Sequence, residues 1–100
     1  MIRFKIRFTH EAARLLSQLH PQNKKLIKTA LREIKNAPYS GYDLQEELSG
    51  FKSYRVKRFR IIYNTNEDKQ TIDVYYVGHR KDIYVQFRRL LNQIKVKEVS

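Results

Sequence analysis

Three features that many proteins carry are missing from this sequence. It has no cysteine, so it can form neither a disulfide framework nor a thiolate metal site, and this composition suits a protein of the cytoplasm. Its apolar runs span only a few residues, which excludes a transmembrane helix. The first segment, MIRFKIRF, has basic residues at alternate positions and lacks the apolar stretch of a signal peptide. We therefore expect a cytoplasmic protein with no membrane partner.

Acidic residues are scarce as well. Asp and Glu number 10 against 21 Lys and Arg, which leaves a formal net charge of +11 on 12.1 kDa. Such a positive field favours anionic partners, namely nucleic acid, an acidic protein segment or an anionic membrane face. The alternative is a basic surface that serves only solubility, and the clustering of the charges decides between the two.

The residues that are present fit a single domain over residues 1–100, because 41% are hydrophobic and 31% charged. Residues 2–8 alternate between apolar and basic side chains, the pattern of a half-buried strand. Thr9 can cap a first helix, Pro21 suits the first turn of a second, and Ala37-Pro38 ends it. Apolar side chains follow at helical spacing in both segments: Ala12, Leu15, Leu16 and Leu19, then Ile27, Ala30, Leu31 and Ile34. The two segments therefore predict a helical hairpin.

The second half of the sequence predicts a strand meander. Residues 39–50 are expected to form a loop that holds the locally acidic stretch and places Leu44 and Leu48 on the core. Strand-like runs follow at 51–57, 58–65 and 71–77. A last helix begins near Asp82, with Ile83, Phe87, Leu90, Leu91 and Ile94 on one face. This order predicts an α+β fold with a three-stranded antiparallel meander, the helices on one sheet face and the other face partly open.

The segment FKSYRVKRFRIIY, residues 51–63, contains five cations and no acid. A two-residue turn at Lys57-Arg58 places Arg55 directly opposite Arg60. Ser53 and Ile62 share their face, while the other face holds Tyr54, Val56, Phe59, Ile61 and Tyr63 and suits packing on the helices. Two opposed arginines repel each other unless an anion lies between them, although both side chains could instead extend into water.

The segment VGHRKDIY, residues 77–84, adds further polar groups. Gly78 is expected to end the last strand, so that His79 and Arg80 emerge at its edge and Tyr84 follows about one helical turn later. Because this strand neighbours 58–65, Arg80 and Tyr84 can reach the face of the two opposed arginines. For His79 we prefer a plain strand-end polar residue.

A metal site is not indicated. Asp73 and Asp82 have no third carboxylate in register, and Glu67-Asp68 fits a turn. We therefore expect neither a metal nor another cofactor.

In their order along the chain, these motifs resemble the RelE/ParE superfamily of toxins from bacterial toxin–antitoxin systems. The resemblance covers nearly the whole chain, and RIIY followed about fifteen residues later by VGHRKDIY is its most specific part. It implies an α+β, microbial-RNase-like fold without the usual catalytic residues of those RNases. Members of the RelE branch cut mRNA in the ribosomal A site, and an antitoxin peptide wraps the toxin and silences it. The partners implied are thus a cognate antitoxin in a hetero-oligomer, the ribosome and mRNA.

The resemblance also implies roles for three residues. Arg60 matches the arginine of the family's strand motif, a transition-state stabiliser, and Arg80 matches the arginine after VG-x. Tyr84 matches the tyrosine of the closing motif, although its distance along the chain from Arg80 is shorter than in the best-known member. The family's pair of lysines on the preceding strand is not reproduced cleanly. The candidates for that pair are Lys52, Arg55 and Lys57.

Metal-free RNA cleavage requires a base for the ribose 2′-hydroxyl, a cationic clamp for the phosphate and an acid for the departing 5′ oxygen. Arginine suits the clamp because its planar guanidinium binds phosphate bidentately, but its pKa above about 12 disqualifies it as a base. A lysine crowded by cations has a lowered pKa, so Lys52 and Lys57 are both candidate bases. Lys57, Arg58 and His79 are predicted substrate contacts, and Tyr84 is predicted to stack on a base or to orient the phosphate.

The favoured function is therefore a toxin that acts as a ribosome-dependent, metal-independent mRNA endoribonuclease and inhibits translation. Two alternatives stay open. One is a DNA gyrase poison, as in the ParE branch, and the other is a non-catalytic basic module that binds nucleic acid or an acidic partner.

Overall fold

The five strands of the protein form one mixed sheet in the order β1-β5-β4-β3-β2. A computed structural model describes residues 3–81 and 83–99, with side chains through Asn92. The elements are β1 Lys5–Phe8, α1 His10–Ser17, α2 Pro21–Asn36, β2 Tyr42–Asp43, β3 Lys52–Val56, β4 Phe59–Asn66, β5 Thr71–His79 and α3 Ile83–Val99. A short 3-10 helix, Glu46–Leu48, lies between β2 and β3. The predicted α+β class is confirmed.

The helical hairpin forms as its sequence predicts. The Thr9 hydroxyl accepts a hydrogen bond from the Ala12 amide at 3.1 Å and so caps α1. Pro21 opens α2, which ends at Asn36, before Ala37-Pro38. The apolar stripes of the two helices bury Ala12, Ile27, Ala30, Leu31 and Ile34 against one face of the sheet.

Strand β1 is an edge strand that pairs with β5 in parallel, from Lys5 opposite Thr71 to Phe8 opposite Val74. Phe4 and Ile6 pack partly against the helical core, as the alternation predicts, whereas Phe8 is exposed. Ile2, the first residue of the predicted apolar face, lies outside the described residues.

The β3–β4 hairpin has the predicted register. Arg55 lies opposite Arg60, and the two-residue turn is Lys57-Arg58, where Lys57 adopts a φ of 53°. The predicted aromatic and aliphatic face packs on the helices, with Phe59, Ile61 and Tyr63 buried there and Tyr54 and Val56 partly buried. The opposite face is therefore free to hold polar side chains.

Gly78 does not end the last strand, which corrects the sequence-based expectation. Strand β5 continues to His79, and Gly78 pairs with Arg60 of β4. A Cβ atom at Gly78 would lie 2.7 Å from Cε1 of Tyr76. The glycine is thus required by the close approach of an aromatic ring, because only a residue without a side chain leaves that ring its space.

The helices do not all lie on one face of the sheet, which corrects a second expectation. Helix α3 packs on the other face of the sheet from the helical hairpin α1–α2. Its Ile83 and Phe87 lie there against Ile62 and Tyr76. Leu44 and Leu48 join this second cluster, so the predicted loop does drop both leucines onto a core, by way of β2 and the 3-10 helix. Covering these apolar side chains removes them from water, but α3 leaves the end of this face near the hairpin turn uncovered.

Two residues named in the sequence analysis, Asp82 and Ile94, fall outside the described side chains. Over the described part of the chain, none of the helices combines the length and apolar character needed to span a membrane.

Candidate functional site

A cavity of about 390 Å³ opens on the α3 side of the sheet, at the end nearest the hairpin turn. We call it the arginine pocket. Its lining consists of Tyr42, Ser53, Arg55, Arg60, Arg80 and Tyr84. Of the residues singled out by sequence, the structure therefore brings together three arginines and one tyrosine.

Strand register builds the floor of the arginine pocket. Ser53 and Arg55 alternate with inward residues of β3 and point to the same face. Arg55 faces Arg60, and Arg60 in turn faces Gly78 on β5. Gly78 adds no side chain to this face, and the ring of Tyr76 occupies the place where its Cβ would lie.

Arg60 is partly buried and held by its own turn. Its Nη1 donates hydrogen bonds to the carbonyl oxygens of Lys57 at 3.1 Å and of Phe59 at 2.9 Å. Its other donors have no hydrogen-bond partner among residues 3–81 and 83–92, so they are available to an anion. The two carbonyl bonds orient the guanidinium before any ligand arrives, which lowers the entropic cost of binding.

Arg80 and Tyr84 enter the arginine pocket from the segment that links β5 to α3. The Arg80 amide donates a 2.8 Å hydrogen bond to the Arg58 carbonyl, which ties this segment to the hairpin turn. Tyr84 lies in the first turn of α3 beside the buried Ile83, and it remains 40% exposed. Backbone contacts thus position Arg80, and the packing of α3 positions Tyr84.

The arginine pocket is strongly cationic. Ion pairs within the described side chains involve Arg14, Lys52 and Arg88, and none involves an arginine of the pocket. Three guanidinium groups that have no carboxylate partner among the described side chains repel one another, and a bound anion would relieve that repulsion. A planar guanidinium can donate two parallel hydrogen bonds to phosphate oxygens, so a phosphodiester fits this chemistry.

A larger cavity of about 570 Å³ lies at the other end of β4 and β5. Its lining includes the carboxylates of Glu67, Asp68 and Asp73. These groups repel a phosphate, so its greater volume does not make it the better candidate.

Lys52, one of the two candidate bases, does not line the arginine pocket. The alternation of β3 places it on the face opposite Ser53 and Arg55. There it forms an ion pair with Asp43, and its Nζ lies 5.9 Å from the centroid of the Tyr39 ring. The neighbouring carboxylate could not be anticipated from the sequence because β2 brings it there.

The three predicted substrate contacts also lie outside the lining of the arginine pocket. Lys57 and Arg58 are exposed on the hairpin turn. His79 pairs with Phe59 and packs edge-on against its ring, with centroids 6.2 Å apart, while its Nδ1 accepts a hydrogen bond from the Lys81 amide at 3.3 Å. This placement fits the preferred interpretation of His79 as a strand-end polar residue, and the roles of Lys57 and Arg58 stay predictions.

Tyr42 is the pocket residue that sequence reasoning missed. It is 73% exposed and lies on β2 opposite Ser53. Strand β2 has only two residues, so its sequence shows no alternation that would predict a strand. The sequence therefore gives no sign that Tyr42 faces the same side of the sheet as Ser53.

A metal site finds no support in the described ranges, where no group of three or more His, Asp or Glu side chains is arranged to hold an ion.

Comparisons with known proteins agree with this architecture. The family model described as the ParE toxin of type II toxin–antitoxin systems matches residues 2–84. Toxin RelG of Mycobacterium tuberculosis is 31% identical over 83 residues, covering 81% of this chain and 95% of that protein.

Solved structures are similar as well. The toxin–antitoxin complex RelBE2 of the same bacterium contains a chain with a TM-score of 0.71 and 28% identity, covering 79% of this chain and all of that one. The intact E. coli RelBE complex matches with a TM-score of 0.68 at 17% identity, covering 76% and 95% of the two chains, which supports the fold alone. The chain therefore belongs to the ParE toxin family of type II toxin–antitoxin systems, within the RelE/ParE superfamily.

Proposed function

We propose that this toxin is a ribosome-dependent, metal-independent mRNA endoribonuclease that stops translation. The observation that carries the proposal is the convergence of Arg55, Arg60 and Arg80 on one pocket, next to exposed tyrosines. A surface that served only solubility would not need three cations in one cavity, whereas a polyanion site would.

The proposed reaction is an attack of the ribose 2′ oxygen on the adjacent phosphorus, which breaks the bond from phosphorus to the 5′ oxygen. It yields a 2′,3′-cyclic phosphate and a 5′-hydroxyl end. Negative charge grows on the phosphate oxygens in the transition state, and the guanidiniums of Arg60 and Arg80 stabilise it there. Donors that are already in position accelerate the reaction most when their hydrogen bonds become stronger as the charge on the phosphate develops.

Proton transfer involves different groups. The Tyr84 hydroxyl is proposed to donate a proton to the departing 5′ oxygen. Because Lys52 lies on the other face of the sheet, we propose Lys57, the second candidate from the sequence, as the base. Lys57 is next to Arg60 in space, since its carbonyl oxygen accepts a hydrogen bond from the Arg60 guanidinium. Positioning and charge stabilisation account for most of the proposed rate enhancement.

A cognate antitoxin is the proposed regulatory partner. The RelBE2 and RelBE structures are complexes of a toxin with its antitoxin. The net charge of +11 favours an acidic antitoxin segment in a hetero-oligomer. Both this partner and the ribosome place the proposed function in the cytoplasm.

The test is primer extension on mRNA in a purified translation system. Wild-type protein should produce discrete cuts on ribosome-bound message, and Arg60→Ala/Arg80→Ala should abolish them. Lys25→Ala/Lys28→Ala, which removes two cations from the exposed side of α2, should leave the cut positions unchanged. Intact message at saturating wild-type protein would refute the proposal.

The second candidate is a gyrase poison, favoured by the matching ParE toxin model. It predicts trapped gyrase–DNA cleavage complexes in a supercoiling assay and no change of activity in the arginine variant. A non-catalytic basic module predicts salt-dependent nucleic-acid binding without growth arrest on expression.

A further inference from the structure

We propose that Tyr42 is a nucleobase platform of the arginine pocket, which stacks on the RNA base attached to a nucleotide beside the scissile phosphate. This inference rests on the proposed ribonuclease function and adds to it a residue that determines how the substrate binds.

The position of Tyr42 suits this role. Tyr42 lines the pocket from β2, Arg55 and Arg60 line it from β3 and β4, and Tyr84 lines it from the first turn of α3. Neighbouring strands are about 4.8 Å apart, so β2 lies about 10 Å across the sheet from β4, which carries Arg60. A phosphate bound by the arginines would therefore have the Tyr42 ring of the same pocket available to a neighbouring base.

The Tyr42 ring has no structural use within the described part of the protein. It is 73% exposed, and its hydroxyl forms no hydrogen bond with a described residue. It also makes no ring–ring contact with any described aromatic side chain, unlike Phe51, Tyr75 and Phe87. Single exposed aromatics are common, so exposure alone proves little. Here the exposed ring also lines a cationic cavity.

The backbone around Tyr42 is held rigidly. The Gly41 amide donates a 3.0 Å hydrogen bond to the Tyr63 hydroxyl, which itself donates to the Pro38 carbonyl at 3.1 Å. A Cβ at Gly41 would lie 2.6 Å from that hydroxyl oxygen, so this approach requires glycine. Because Tyr63 is completely buried, the anchor cannot drift.

The following residues complete the anchor. Asp43 forms the ion pair with Lys52, and the amide of the buried Leu44 donates to the Phe51 carbonyl at 3.0 Å. Tyr42 is thus an exposed aromatic ring on a segment fixed on both sides. A ring fixed in advance loses little conformational entropy when a base stacks on it.

The predicted occupant is an unpaired nucleobase of either purine or pyrimidine type. Every base offers a π-face, so stacking tolerates sequence changes, but the base must first leave any duplex. Tyr42 therefore favours single-stranded message and imposes little sequence preference.

The experiment measures single-turnover kcat/KM on programmed ribosomes for Tyr42→Ala, Tyr42→Phe and Tyr42→Trp. Loss of the ring should lower kcat/KM roughly 5- to 100-fold, the range typical of base–aromatic stacking. Tyr42→Phe and Tyr42→Trp should stay close to wild type because they retain a π-face. Tyr39→Ala is the matched control, since Tyr39 is also exposed but lies outside the pocket.

A synthetic message with one abasic nucleotide identifies the stacked base. At the stacked position the abasic site should slow the wild type, and Tyr42→Ala should slow the reaction no further. Equal rates for Tyr42→Ala and wild type would overturn the inference. So would rate losses from Tyr42→Ala and from the abasic nucleotide that multiply, whichever of the two nucleotides flanking the cut is abasic.

A second readout separates this inference from the proposed function. A fluorescent adenine analogue is placed beside the cleavage site, in a message whose 2′-O-methyl group blocks cleavage. Wild type should quench its fluorescence and Tyr42→Ala should not. If wild type does not cleave the unmodified message, the nuclease proposal is refuted. If wild type and Tyr42→Ala quench the fluorescence of the blocked message equally, the role of Tyr42 is refuted.

Discussion

Arg60 owes its orientation to two carbonyl oxygens of its own hairpin turn, and a lysine cannot reproduce this arrangement. Arg60→Lys keeps the charge but loses the planar fork that can bind the turn and a phosphate together. We expect kcat to fall about 100-fold, a loss typical of one transition-state donor, while the salt dependence of substrate binding stays the same. Arg32→Lys, at an exposed position of α2 outside the pocket, is the control and should retain activity. A fully active Arg60→Lys would show that charge alone suffices.

Gly78 accommodates the ring of Tyr76 by its lack of a side chain. In Gly78→Ala the new Cβ would lie 2.7 Å from the Tyr76 ring, which is itself packed against Phe87 and hydrogen-bonded to Gln86. The ring cannot move easily, so we expect a loss of about 1–3 kcal/mol in the free energy of unfolding, measured in urea. Ser53→Ala, which adds no volume, should unfold close to wild type. Equal stability of Gly78→Ala and wild type would contradict this account.

Individual site residues were predictable to different degrees. Arg55 and Arg60 follow from a local rule, because a two-residue turn determines which side chains face each other. The alternation of β3 that fixes the face of Arg55 also places Lys52 on the opposite face, whereas the pairing of Lys52 with Asp43 and the position of Tyr42 depend on β2, a strand of two residues. Such a short strand leaves no repeating pattern, and only the folded sheet shows which face each residue occupies.

Strand β2 is the element most dependent on a single buried hydroxyl. Tyr63→Phe leaves the Gly41 amide without its partner and removes one of two donors to the Pro38 carbonyl, which still accepts from the Thr65 hydroxyl, while the ring still fills its space. We expect a loss of about 1–3 kcal/mol in the free energy of unfolding in urea. If Tyr42 acts as proposed, kcat/KM should also fall, because its segment loses the anchor. Tyr39→Phe, at an exposed position, should show neither change. Full stability of Tyr63→Phe would mean that water replaces the hydroxyl.

The same hydroxyl makes the fold sensitive to alkali. Burial raises the pKa of Tyr63 above the usual value for tyrosine, outweighing the smaller lowering effects of the Gly41 amide and Lys52. The folded state therefore holds this proton at a pH where the unfolded chain has released it. Its contribution to stability is complete below about pH 10 and declines as the pH rises through the folded-state pKa.

This effect is measured by urea unfolding at increasing pH, with tyrosinate absorbance followed in parallel. Wild type should lose stability above about pH 10, and Tyr63→Phe should lose less over the same interval. Identical pH profiles for the two proteins would assign the alkaline transition to other groups, such as Tyr54, whose pKa is raised by its hydrogen bond to Glu33.

Elements with strong local signals were predicted well, but the strands they pair with and the sheet face they pack on were not. The Thr9 cap, the Pro21 start and the hairpin register all depend on neighbouring residues, and all three are confirmed. The parallel pairing of β1 with β5 joins distant parts of the chain and has no local signature. Helix α3 was assigned to the wrong face because Ile62 and Tyr76 form an apolar surface on the other face only when β4 and β5 pair, and α3 packs on that surface.

For the whole molecule, the charge of +11 raises a question of its own, namely whether the field or the pocket drives activity. Many of the cations lie far from the pocket, including the exposed Lys25, Lys28, Arg32 and Lys35 along α2. Charges at such distances attract a polyanion and speed its encounter, but they cannot stabilise a transition state beyond the reach of their side chains. Field and pocket should therefore affect different kinetic constants.

The comparison of Lys25→Gln/Lys28→Gln with Arg60→Ala measures this separation. Neutralising the two lysines should lower kcat/KM and make it less dependent on salt concentration, while kcat stays unchanged. Arg60→Ala should instead lower kcat, because it removes a charge that acts on the phosphate itself. Lys25→Arg/Lys28→Arg keeps the charge and should match wild type in both constants. A fall in kcat for the glutamine variant would mean that α2 contacts the reacting substrate, and an unchanged salt slope would mean that the distant cations do not guide association.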